Sequence, residues 1–90
     1  MSFYLKDPQS RIAFPMVWTP EFAGAAAIVD SVWTVMPAGL TVEQAGVEDL
    51  TAMATIAGGR AGEVYRVTNR VTLSDGRGDA RAILIRVEPR

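Results

Sequence analysis

The sequence predicts an all-β fold, a single antiparallel sandwich of about seven strands, and three observations carry that prediction. In "EVYRVTNRVTLSD" the apolar residues Tyr65, Val67, Val71 and Leu73 alternate with Arg66, Thr68, Arg70 and Thr72. That period of two belongs to a strand with one face in a core and one in water. A second alternating run, "ARAILIRVEPR", follows after the short "SDGRGD" connection, so the two read as a β-hairpin. Turn signals then punctuate the whole chain, at "DP" 7–8, "TP" 19–20, "MPAGL" 36–40, "GGRAG" 58–62 and "DGRG" 75–78. That spacing suits a sandwich better than βαβ units.

Taken in order, "FYL" near the N-terminus offers a short edge pairing. "RIAFPMVW" is apolar but contains Pro15, which has no N–H for a ladder, so it is expected at an edge or with a break. "TPEFAGAAA" is expected to make one helical turn, with Thr19 as cap and Pro20 in the first helical position. "AIVDSVWTVM" is β-branched and aromatic, as a half-buried strand should be. "MPAGLTVEQAG" reads as a loop, although Thr41-x-x-Gln44 also fits a capping box and leaves a helix over "TVEQAGVEDLTAMA" open. "LTAMATIA" places Ala52, Ala54 and Ile56 on one face, with Thr51, Met53 and Thr55 opposite. Tyr65 follows the Gly-rich "GGRAGEVY"; it is either a plain core aromatic or a tyrosine whose hydroxyl folds back onto that connection. Asn69 interrupts the apolar row of its strand and is expected to bond backbone or to lie near a sheet edge. In the last strand Ile83, Ile85 and Val87 share one face, and Ala82, Leu84 and Arg86 the other.

Composition narrows the function. Ninety residues, 49% hydrophobic and 21% charged, form one small globular domain. The nine basic residues are scattered in a chain of net charge −1, which offers no field to hold nucleic acid. There is no cysteine and no histidine, so disulfides, thiolate nucleophiles, the usual zinc ligands and the commonest general base are missing. Neither a secretory signal nor an apolar run of about 20 residues is present, so the chain reads as soluble and cytoplasmic at synthesis. No cofactor, metal or catalytic constellation is expected. The serines have no activating base apart from lysine, and Lys6, the only one, sits near the chain end. Asp30, Glu43, Glu48 and Asp49 match no calcium loop and read as exposed loop charges. Trp18 and Trp33 read as core anchors.

Arg77-Gly78-Asp79 spells an adhesion tripeptide. The same residues are what a tight turn requires, with Gly76 or Gly78 supplying positive φ and Asp75 bonding the backbone two residues on. Arg77 and Asp79 would then be solvated tip residues. The turn is the preferred reading.

Taken together, "KDP", an aromatic strand ending in Trp18, "AIVDSVWTVMPAGL" and "AGGRAGEVYRVTNRVTLSDGRGDARAILIRV" resemble a family of small virion structural proteins of tailed phages and prophages, often labelled fiber-tail adaptor proteins. The resemblance runs from Lys6 to Val87. Its most specific part is Gly58-Gly59 through Tyr65, then Thr68-Asn69, then Gly76-Arg77 with the final strand. One departure is "FPMVW", where Val17 stands in place of the Asp of the family's Tyr-x-x-Asp-Trp run. The resemblance implies a single immunoglobulin-like domain over residues 1–90, without enzymatic activity or cofactor. It implies an assembly role in the virion, after synthesis in the bacterial host cytoplasm. Partners would be other virion proteins of capsid, neck, tail or fibre, in many copies or as a homo-oligomer, with no nucleic acid and no membrane. A free-standing immunoglobulin-like module binding a host receptor or glycan is the alternative, and an enzyme or regulator a distant third. Contacts are expected through Pro15, Met16 and Phe22 in the first strand and its helical turn, and through Met36, Leu40 and Val42 in the following loop. Both segments hold more apolar residues than a solvated loop needs.

Overall fold

The alternating C-terminal runs form the middle of the larger of two sheets. A computed structural model describes residues 2–89, and these fold into strands β1 (Ser2–Lys6), β2 (Arg11–Val17), β3 (Ile28–Met36), β4 (Leu40–Glu48), β5 (Thr51–Gly58), β6 (Val64–Leu73) and β7 (Gly78–Val87), with a one-turn helix α1 (Pro20–Ala23). Sheet 1 has the order β1-β7-β6-β3 and sheet 2 the order β2-β5-β4. All pairings are antiparallel except β1 with β7. The fold is thus the all-β sandwich that the alternation predicts.

The inward face of each strand is the apolar one. Val67, Val71, Ile85, Val87 and Ile56 are 0% exposed, and they meet Phe14, Met16, Trp18 and Tyr65 in a single cluster between the sheets. Burying each such aliphatic side chain contributes about 1.5–3 kcal/mol. Pro15 lies where its missing N–H is tolerated, since β2 is the edge of sheet 2. The helical turn also forms as its sequence dictates. The Thr19 side chain accepts from the Phe22 N–H at 3.3 Å, Pro20 opens the helix, and Gly24 closes it at φ 59°.

One expectation is revised, and two residues find unforeseen places. "LTVEQAGVE" is strand β4, neither loop nor helix, and so Asp30, Glu43 and Glu48 stand on strands rather than in loops. Asn69 is fully buried on β6, an interior strand; its amide donates to Ser31 Oγ at 2.9 Å and to the Val32 carbonyl at 3.4 Å, while its oxygen accepts from Trp18 Nε1 at 3.0 Å. It therefore bonds backbone, as expected, but ties the two sheets together instead of sitting at an edge. Lys6 is 0% exposed, and its Nζ donates to the carbonyls of Asp7 at 2.9 Å and Gly58 at 2.7 Å, joining β1 to the end of β5. Burial pushes the Lys6 ammonium below the usual lysine range, an effect partly offset by the Asp7 carboxylate.

Tyr65 folds back. Its hydroxyl accepts from the Arg60 N–H at 3.0 Å, bridging the β5–β6 connection. Gly39 makes room for it: a Cβ there would lie 2.6 Å from the hydroxyl, at a backbone φ of +145°.

Candidate interaction surface

The six contact residues read from the sequence do not converge. Met16 and Leu40 point into the core at 5% and 8% exposure, so as placed they offer no contact surface. Val42 is half-buried and packs on the same core. Phe22 is half-buried too, its ring 5.3 Å from that of Trp18. Only Pro15 and Met36 are exposed, and they lie on opposite faces of the sandwich: Pro15 on sheet 2 beside Met53, Met36 on sheet 1 beside Arg66.

The adhesion-like tripeptide is committed elsewhere. The Arg77 N–H donates to Asp75 Oδ1 at 3.0 Å and Arg77 Nε to Asp75 Oδ2 at 2.8 Å. Its two terminal nitrogens donate to the carbonyls of Phe22 at 2.8 Å and Ala23 at 2.9 Å, and the guanidinium lies 5.8 Å from the Phe22 ring centre. Arg77 thus caps the end of α1, where carbonyls lack helical partners, while about half of its side chain stays in solvent, as expected of a tip residue. The backbone and side-chain bonds from Arg77 hold the Asp75 carboxyl below the usual carboxylate range. Asp79 turns to the Ala80 N–H at 2.8 Å.

What the fold does gather is an apolar stripe across the outer face of sheet 1. Register places Phe3, Leu84, Arg66 and Met36 side by side across β1, β7, β6 and β3. Leu5, Arg86 and Val64 form the row on one side of it; on the other side Ala82, Thr68 and Thr34 separate it from a further row of Ala80, Arg70 and Val32. Phe3, Leu5, Val32, Met36 and Val64 are all exposed, Met36 at 70% and Phe3 at 54%. Exposed apolar side chains grouped on one face mark a contact surface more often than scattered ones do. On the opposite side, the outer face of sheet 2 exposes Pro15, Val17 and Met53, and Met53 lines a shallow depression of ≈ 430 Å³ with Ala13, Glu48 and Thr55.

A second depression, ≈ 510 Å³, lies at the glycine corner beside Tyr65 and is lined by Pro37, Gly39, Gly59, Arg60 and Glu63. The tyrosine hydroxyl there is already engaged with the backbone. Among the described residues no group of three or more His, Cys, Asp or Glu is placed to hold a metal ion. The surfaces are thus suited to contact by shape, apolar area and charge.

The family model for podophage GP4 fiber-tail adaptor protein gp77 matches residues 6–86. The chain belongs to that family. It is accordingly a phage structural protein and a virion component. No curated protein matches it. The fiber-tail adaptor match covers β2 to β6 in full and β7 up to Arg86, and of β1 it includes only buried Lys6.

Proposed function

We propose that this chain is a non-enzymatic assembly subunit that joins tail and fibre components of a podophage-like particle through protein–protein contacts, in several copies per particle. The family match over residues 6–86 carries the reading. The grouping of Phe3, Leu5, Val32, Leu84 and Met36 on one face supports it, because such an area is covered only when the subunit is seated among neighbours. Contacts of that kind also add stability to a small core. Synthesis in the host cytoplasm belongs to the same reading.

We also read the sandwich as immunoglobulin-like. Counting β2 to β7 as the second to seventh strands of that fold, the orders β2-β5-β4 and β7-β6-β3 are those of its two sheets. The Tyr65 hydroxyl bonded five residues upstream supports the same assignment. The first strand, β1, joins the sheet of β7.

Mass spectrometry of purified particles tests the proposal. The chain is expected in many copies and is expected to remain with tails when heads are removed. Its absence from particles would overturn the assembly role.

A further inference from the structure

The two outer faces of the sandwich carry opposite charge. On sheet 1, alternation turns Arg66, Arg70 and Arg86 outward. Arg86 is paired with Glu88, whereas Arg66 and Arg70 make no ion pair with any described residue. Asp30 is the acidic strand residue on that face, at the far end beside Thr72. On sheet 2, Glu43 is paired with Arg11, and Glu48 and the adjoining Asp49 are exposed without an ion pair among the described residues. Glu48 borders the depression that contains Met53.

We propose that copies of this chain stack head to tail, the outer face of sheet 1 of one copy lying on the outer face of sheet 2 of the next. The proposal deepens the assembly reading above by naming a second copy as the occupant. Arg66 and Arg70 then face Glu48 and Asp49, while Met36, Leu84 and Val32 meet Pro15, Val17 and Met53. Because the faces differ, the contact is heterologous, and repetition closes a ring or runs on as a filament. Sheet 2 is the smaller face, and its three strands about 4.8 Å apart and about 27 Å long limit the contact to roughly 400 Å² per partner, below the standard size of specific interfaces. Association is therefore weak in dilute solution and favoured where a particle holds copies close together.

Sedimentation velocity of the full chain from micromolar to millimolar concentration tests this. At low ionic strength the average mass is expected to rise at least about twofold, and to fall back in about 1 M salt, where the screening length shrinks to about 3 Å. The double variant R66E/R70E is expected to remain monomeric, and so is E48K/D49N; Asn is chosen because Asp49 has φ 53°. Each variant carries like charge on both faces, so an equimolar mixture of the two is expected to regain the association of the unaltered chain. Circular dichroism checks folding, and R66Q/R70Q replaces the first variant should it misfold. A chain that stays monomeric throughout, an association indifferent to salt and to both reversals, or a mixture that fails to recover would each overturn the inference. If the chain is nonetheless found in particles, the structural role stands and only self-stacking falls.

Discussion

At the scale of single residues, the corner between β5 and β6 depends on one hydroxyl and one missing side chain. Tyr65→Phe removes the bond to the Arg60 N–H and is expected to cost about 1 kcal/mol, the usual net value of such a bond. Gly39→Ala is expected to cost more, roughly 2–3 kcal/mol, since its methyl would meet the same hydroxyl at 2.6 Å with φ already at +145°. Urea titration of the two variants orders them; equal stabilities would show that the corner is not tight. Lys6 adds a pH dependence. Its folded pKa is lowered from 10.5, so the unfolded chain binds this proton more tightly. Stability therefore rises with pH across the window between the folded value and 10.5, and Lys6→Met abolishes that rise. Parallel denaturation curves for the two proteins at several alkaline pH values check the sign. Tyr65's tuck was one of two readings open in the sequence. The burial of Lys6 was not legible there, because a cation near a chain end gives no hint that two carbonyls from separate segments converge on it.

At the scale of elements, β5, β6, β7 and α1 are legible because each obeys a local rule: strict period two in the strands, a Thr-Pro start in the helix. Strand β4 breaks that rule. Leu40 and Val42 face inward opposite Gly58 and Ile56, but after the irregularity between Glu43 and Gly46 it is Val47 that stands opposite Ala52. The inward parity has switched from even to odd, with Gln44 at φ 50° inside the bulge. A period count across such a bulge averages to nothing, and the capping-box resemblance then competes on equal terms. Helix α1 depends on a neighbour for its end. Arg77→Ala removes the donors to the Phe22 and Ala23 carbonyls and is expected to speed amide exchange at residues 22–26 with a loss of about 1 kcal/mol. The exposed Asp75 carboxylate is held low by Arg77. Its contribution is present above pH 3.8 and lost as pH falls through the folded value, and R77A should flatten that acid limb. Unchanged exchange at α1 would mean that the guanidinium is ornamental.

At the scale of the whole molecule, the sandwich measures 43 × 22 × 19 Å, a thin body in which the outer faces are large relative to the core. Which residues share an outer face was beyond the reach of sequence reasoning, since Phe3, Leu84, Arg66 and Met36 become neighbours only through strand order. Alternation revealed that Leu84 turns from the core, but not what lies beside it. The same long-range pairing governs folding. The hairpins β4–β5 and β6–β7 are local, whereas β1–β7, β2–β5 and β3–β6 join distant segments. Refolding is expected in milliseconds to seconds, the range of sandwiches dominated by non-local pairings. Stopped-flow tryptophan fluorescence checks this, as Trp18 is buried at 3% exposure; relaxation within microseconds would contradict the topology.

The enclosed ammonium of β1 has a practical corollary for anyone charting neighbours inside an intact particle. Reagents that couple amines will find no lysine to grip on the folded subunit, since the chain has a single one and it is sealed from solvent. A proximity map drawn with such chemistry would leave this component nearly blank even where it is abundant. Probes aimed at carboxylates or guanidinium groups, which dot both flanks, would see it.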